Sequence, residues 1–419
     1  MTPEEVESLK DEAGDIRFSK VMEFCLPRFD DTEAGQQTLW EWQAARMRNY
    51  MTYLCMYHGF KPKYYDPMGD GKKEEFKYIT ADHVARFYWV MMARIWSNNS
   101  SIATMWSVRE ILDAVPCVKE SMPQDAYKDL YRCMHFVDDW EGDAESEWEE
   151  YFTDQKVGHD DSIATHRTKF SMVEDGWNNR WQEIVNFGKW LTMDESRVAG
   201  WYKSMMTCGP EPKPIRTGAT LHTLCITHGP LATFKLHARV YGGAKDDDLD
   251  GIHTNTSNLQ KWVNLYDMIL KPFKGKGRCV TMDSAYMSDI MAQIGRFEWK
   301  LNMVGTSQVN RTGANAKATV DFMKAKRKGT HTSAMWQHNT LPLVFSAWAD
   351  NAIVKTLSNF HSPVIIQDGV QRRCKIDGVR QRDPVGVPTP KQVVAYCTTF
   401  HKIDKGNGKE AKYDLGGNS

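Results

Sequence analysis

The sequence predicts an α/β protein: a mixed sheet with flanking helices, a helical N-terminal region ahead of it, and a β-rich insertion late in the chain. Three observations carry this. Up to residue 185, apolar and aromatic residues recur mostly at helical spacing. From Lys189 the texture changes to short runs of β-formers that stop at Gly or Asp, with helical stretches between them. Residues 311–385 then read as β-rich and basic, before a last helical stretch begins near Pro390. The 419 residues are enough for two or three domains. The boundaries drawn are 1–185, 186–310, 311–389 and 390–419.

In the first region, ADHVARFYWVMMARIWSN (81–98) is an apolar-rich helix, and PQDAYKDLYRCMHFV (123–137) is another with Pro123 near its start. WNNRWQEIVNFGKWL (177–191) begins as a third. The Trp and Met residues here read as core. KWLTMDE, HTLCITHG (222–229) and TFKLHARVYGG (233–243) read as three strands. A helix within 256–270 connects them to the strand RCVTMDS. SAYMSDIMAQIGRF (284–297) follows as a helix with Ser284 as N-cap, then the strand LNMVGTSQ (301–308). The late stretch contributes β-rich runs around 324–338 and 341–359, and 390–409 reads as one helix ending near Gly406 or Gly408.

Hydrophobic content of 41% and charged content of 26% are ordinary for a globular protein, and no apolar run is long enough for a membrane span. The acidic, polar N-terminus does not read as a secretory signal. Nine scattered Cys, with no CxxC and no zinc spacing, suit free thiols in a reducing compartment. The net charge of −1 hides an asymmetry: eleven acids against one Lys in 138–161, and twelve Lys and Arg against four acids in 311–382. The acidic run reads as a loop or linker. The basic stretch is either a solvated surface or a face for a polyanion.

Two strands end in an acid, Asp194 and Asp283. Adjacent strands place such acids about 4.8 Å apart, and a packed helix carrying Asp404 can supply a third. Carboxylates on a rigid scaffold suit Mg²⁺, and paired ions suit phosphoryl transfer. An Asp at a strand end also serves as a cap or turn residue, so both readings stand. Glu195 falls on the opposite face of its strand and reads as a structural ion-pair partner. His135, His222, His361 and His401 are candidate bases, with packing or surface roles as the alternative.

At these residues the chain resembles the piggyBac family of cut-and-paste transposases and the domesticated proteins derived from it. Seven segments carry the resemblance in the family's order: MPQDAYKDLYRCMHFVDD (122–139), LTMDESRVAGW (191–201), KPIRTGATLHTLC (213–225), MDSAYMSD (282–289), GTSQVNR (305–311), WADNAIVKTLSNFH (348–361) and VVAYCTTFHKIDKGN (393–407). Together they cover about residues 80–410.

The resemblance implies an RNase H-like catalytic core with an inserted β-rich subdomain. The helical region at 1–185 would serve dimerisation and DNA binding. It implies Asp194, Asp283 and Asp404 as catalytic metal ligands for two Mg²⁺ ions, for which Mn²⁺ can substitute. Asn407 stands where the family often has a fourth Asp, and Ser284 where it has Asn. The implied partners are double-stranded DNA, as transposon ends and a TTAA target, and a second copy of the chain. The implied location is the nucleus. Arg311, Lys324, Lys326, Arg327, Lys328, Arg372 and Arg373 are the candidate DNA contacts. The Cys-rich, zinc-binding tail of many members has no counterpart spacing within residues 1–419. The alternative is a domesticated, catalytically inactive DNA-binding protein on the same fold. An unrelated carboxylate-dependent hydrolase has only the acids in its favour.

Overall fold

The computed structural model describes residues 3–8, 10, 20, 24–31, 35–67, 78–96, 105–106, 116–134, 136, 168–199, 218–241, 258–376 and 379–410. The N-terminal part holds α1 (Pro3–Ser8), an antiparallel hairpin of β1 (Arg28–Asp31) and β2 (Gly35–Thr38), and then α2 (Leu39–His58). Helix α2 starts at a reciprocal cap: the Thr38 hydroxyl accepts from the Glu41 N–H, and the Glu41 carboxylate accepts from the Thr38 N–H at 2.9 Å. Helices α3 (Ala81–Trp96), α4 (Pro116–Ser121) and α5 (Gln124–Arg132) pack with α2 around Met47, Met51, Phe87, Val90, Tyr127 and Leu130. Helix α6 (Thr168–Ile184) then leads toward the sheet. The acidic run 138–161 lies outside the described residues.

The second part is built on one sheet. Strands β3 (Trp190–Ala199), β4 (Gly218–Ile226) and β5 (Lys235–Val240) form an antiparallel meander. Helix α7 (Asn258–Leu270) crosses to β6 (Cys279–Met282), and α8 (Asp289–Phe297) to β7 (Asn302–Thr306). Then come α9 (Ala314–Lys324), β8 (Ser333–Gln337), β9 (Val344–Ala349) and β10 (Ile353–Ser358). The hairpin β11 (Ile365–Ile376) and β12 (Val379–Pro390) precedes α10 (Lys391–Thr399) and α11 (Lys402–Glu410). The eight-stranded sheet has the order β5-β4-β3-β6-β7-β10-β9-β8, parallel only at β3–β6 and β6–β7. This is the mixed α/β, RNase H-like architecture expected from the sequence, with a helical N-terminal region.

Strand alternation gives the sheet two different faces. Leu191 and Met193 on β3, Val280 and Met282 on β6, and Met303 on β7 point one way, into the core formed with Leu265, Ile269 and Met291. The other face carries hydroxyls: Thr192, Thr281, Thr306, Ser346 and Thr356. Helix α10 covers it by hydrogen bonding. Thr281 Oγ1 lies 2.6 Å from Thr399 Oγ1, and Gln392 Nε2 donates to Ser346 Oγ and the Thr356 carbonyl at 2.9 Å each.

Several local expectations are corrected. Helix α8 starts at Asp289 and is capped by Ser288, whose hydroxyl accepts from the Met291 N–H at 3.1 Å. Residues 284–286 form a turn instead, because the Asp283 carboxylate accepts the Ala285 N–H at 2.5 Å. The stretch 390–409 is two helices broken at Phe400–His401. Residues 314–324, read within the β-rich stretch, form α9. Strands β8 to β10, also read there, extend the main sheet through β10–β7 pairing, and β11–β12 forms a separate two-stranded sheet.

Candidate active site

The hydroxyl face places two of the three candidate acids. Thr192 on β3 pairs with Thr281 on β6, so the next residues on that face, Asp194 and Asp283, sit on neighbouring strand positions. Asp283 is the first residue beyond β6. Its neighbour β7 must come close there: a Cβ on Gly305 would meet the Met282 carbonyl oxygen at 2.3 Å. Only glycine permits that approach.

The third acid arrives on another element. Helix α11 packs over β3 and β4 and presents the exposed Asp404 from its first turn. Gly406 on the same helix lets it settle against the β4–β5 loop, where a Cβ would stand 3.2 Å from the Thr233 carbonyl oxygen.

The electrostatics tie the three together. Burial pushes the Asp194 carboxyl up from 3.8 to about 7. A hydrogen bond from the Glu195 N–H, 2.8 Å from Asp194 Oδ1, works the other way. The charges of Asp283, Asp404 and Glu195 add to the rise. Tyr396 on α10, whose hydroxyl lies 3.5 Å from Thr306 Oγ1, is raised by burial and also feels Asp283 and Asp194. Sequence reasoning assigned Tyr396 no role; its signal was its place eight residues before Asp404 in the last motif.

Among the described residues, no three His, Cys, Asp or Glu are grouped closely enough to hold an ion as they stand. The donor set nevertheless fits a hard divalent cation. The three acids offer only oxygen, as Mg²⁺ prefers. Mutual repulsion and burial at Asp194 are what a cation relieves. Asn407, one turn beyond Asp404, has its Oδ1 buried without a hydrogen-bond partner.

The remaining candidates scatter. Arg311 is exposed and donates to the carbonyls of Ala285 at 2.6 Å and Ser284 at 3.4 Å, bracing the turn that follows Asp283. Lys324 pairs with Asp321 at 2.7 Å on the surface, a weak contact. Lys326, Arg327 and Lys328 are exposed beside it, with Lys326 over the Phe322 ring. Arg372 is ion-paired with Asp350 and lies over Trp348, anchoring β11 to the main sheet. The Arg373 backbone pairs with Arg382, and its side chain lies outside the described residues. Glu195 takes the opposite face from Asp194, across from His222 on β4. His222 is buried and His361 bonds Ser358 Oγ at 2.8 Å; burial pushes both down to about 4. His401 is exposed against Phe400, and His135 lies outside the described residues.

Two comparisons bear on this arrangement. Residues 61–416 match the family model described as Transposase IS4. The fold is similar to a solved structure described as "Cryo-EM structure of piggyBac transposase synaptic complex with hairpin DNA (SNHP)", with a TM-score of 0.63 and 16% identity. The likeness covers 90% of this chain and 66% of that one, so the chain spans just under two thirds of its length.

Proposed function

The chain belongs to the Transposase IS4 family, and from that premise we propose that it cuts and joins DNA strands at a site made by Asp194, Asp283 and Asp404. The observation that carries this reading is the convergence on Asp194. Acids from the end of β6 and from α11, far apart in sequence, press their charge on one buried carboxylate of β3. A structural acid would gain nothing from such company.

Asp194, Asp283 and Asp404 would hold two Mg²⁺ or Mn²⁺ ions, with the Asn407 oxygen beside them. When bound, the ions supply charge stabilisation to the attacking and leaving oxygens of an in-line phosphoryl transfer. The chain's own residues do the rest. Without a cation, Asp194 carries a proton about half the time near pH 7. The Thr281–Thr399 contact fixes the end of α10 over β6 and so the start of α11. Arg311 holds the turn after Asp283. Exposed Lys326, Arg327 and Lys328 track phosphates. The substrates are double-stranded DNA ends and a TTAA target, brought together by two copies of the chain through the helical N-terminal region.

A second reading has its own observation. Asn407 replaces a family acid, and among the described residues no three ligands are grouped for an ion as they stand. A domesticated DNA-binding protein would share both features. A nicking and strand-transfer assay on TTAA-containing duplex, with Mg²⁺ or Mn²⁺, separates the two. Metal-dependent joining that is lost in Asp283→Asn supports the enzyme. Salt-sensitive binding with no cutting supports the DNA-binding protein.

A further inference from the structure

The candidate acids stand at the end of a row of hydroxyls. Met193 on β3 pairs with Met282 on β6, and Met282 with Gly305 on β7. One position further along each chain segment come Asp194, Asp283 and Thr306. Thr306 pairs with Thr356 on β10, and Thr356 with Ser346 on β9. Thr306 is thus the neighbour of Asp283 on the side away from Asp194, at a strand spacing of about 4.8 Å. Helix α10 follows this row. Gln392 bonds Ser346 Oγ and the Thr356 carbonyl, and Tyr396, one turn on, brings its hydroxyl to Thr306. Thr399, at the end of the helix, meets Thr281, two residues before Asp283.

Tyr396 has a hydroxyl without a strong partner. Thr306 Oγ1 donates toward it from 3.5 Å, which is long for a hydroxyl pair. The phenol's own proton has no acceptor among the described residues. A tyrosine this far from open solvent ordinarily finds one. The ring stacks on Phe400, with centroids 4.7 Å apart, so the hydroxyl is held on the Thr306 side by packing and not by a competing bond. We propose that Tyr396 is a catalytic residue whose hydroxyl donates a hydrogen bond to a phosphoryl oxygen of the DNA strand being cut, beside Asp283. This rests on the reading of the three acids given above. The proton stays on the phenol throughout, because burial pushes its ionisation well above the usual tyrosine range. As the attacking oxygen bonds phosphorus and the leaving oxygen departs, negative charge gathers on the phosphoryl oxygens, and a fixed neutral donor there stabilises it.

The test is single-turnover nicking of a TTAA-containing duplex by the full chain with Mn²⁺. Duplex affinity in Ca²⁺, Mn²⁺ affinity and thermal melts are measured for every variant. Tyr396→Phe removes the hydroxyl and keeps the stack on Phe400. Losing one donor from the place where charge develops typically slows a reaction about 100- to 1,000-fold. Tyr396→Phe is therefore expected to nick about 100-fold more slowly, with Mn²⁺ affinity, duplex affinity and melting point near the wild type. Thr306→Val removes only the long contact and is expected to nick at close to the wild-type rate. If Asp283→Asn abolishes nicking but Tyr396→Phe nicks normally, the catalytic role is overturned and the acid site stands. A loss in Thr306→Val as large as in Tyr396→Phe would also overturn it, since the hydroxyl would then serve its neighbour on β7. If the wild type does not nick, or Asp283→Asn nicks as well as it does, the acid site and the role of Tyr396 fall together.

Discussion

Replacing Asp194 by Asn tests the electrostatic argument without any substrate. The carboxyl's rise from 3.8 to about 7 corresponds, at about 1.4 kcal/mol per pH unit, to about 4 kcal/mol. The sign follows from proton binding. Below about pH 4 the acid is protonated folded or unfolded, and nothing is lost. Between about 4 and 7 the unfolded chain has released its proton and the folded chain retains it, so folded stability falls as pH rises. Above about 7 the loss is complete. The Asp194→Asn variant, with a neutral amide in place of the acid, carries no such liability. In urea unfolding with EDTA, the stability difference between variant and wild type should grow across pH 4–7 to about 4 kcal/mol in favour of the variant, then stay level. Saturating Mg²⁺ should raise the wild type and leave the variant unchanged. Parallel stability curves for the two proteins from pH 4 to 8 would refute the reasoning, because Asp194 would then not be the group under strain.

Three further outcomes follow. Gly305→Ala should cost about 1–3 kcal/mol in urea unfolding, since its new methyl meets the Met282 backbone at 2.3 Å rather than a movable side chain. Replacing Lys326, Arg327 and Lys328 together by Ala should weaken duplex binding about equally for all sequences and reduce the slope of log affinity against log salt by about 3, read by fluorescence anisotropy. Asn407→Asp should tighten Mn²⁺ binding by adding a charged oxygen donor one turn from Asp404, whereas Asn407→Leu should not.

The parts of this molecule that were legible in its sequence depend on local periodicity. Thr192 and Asp194, and Thr281 and Asp283, are each two residues apart, so strand spacing alone predicts that each pair shares a face. Asp404 needed the motif resemblance, because nothing local says that a charged helix near residue 404 returns to β3. The cap of α2 is written locally as TLWE (38–41), a Thr with a Glu three residues on. Helix α9 was hidden by the charge of the stretch around it, although ANAKATVDFMK holds good helix formers. Ser284 was a reasonable cap by type. It lost to Ser288 because the Asp283 side chain holds the Ala285 N–H in a turn. Arg372 illustrates the limit of charge counting, since its partner Asp350 lies on the far side of a strand and a loop in sequence.

The most direct test of the central claim is Mn²⁺ titration of Asp404→Asn beside the wild type at mildly alkaline pH, where Asp194 is mostly ionised. Asp404 is the acid most remote in sequence, exposed, and carried by a helix rather than the sheet. If it shares a site with Asp194 and Asp283, the wild type binds two ions and the variant loses at least one of them with its melting point retained. Unchanged stoichiometry and affinity in Asp404→Asn would contradict the account, leaving Asp404 a surface residue and the other two acids without their third partner.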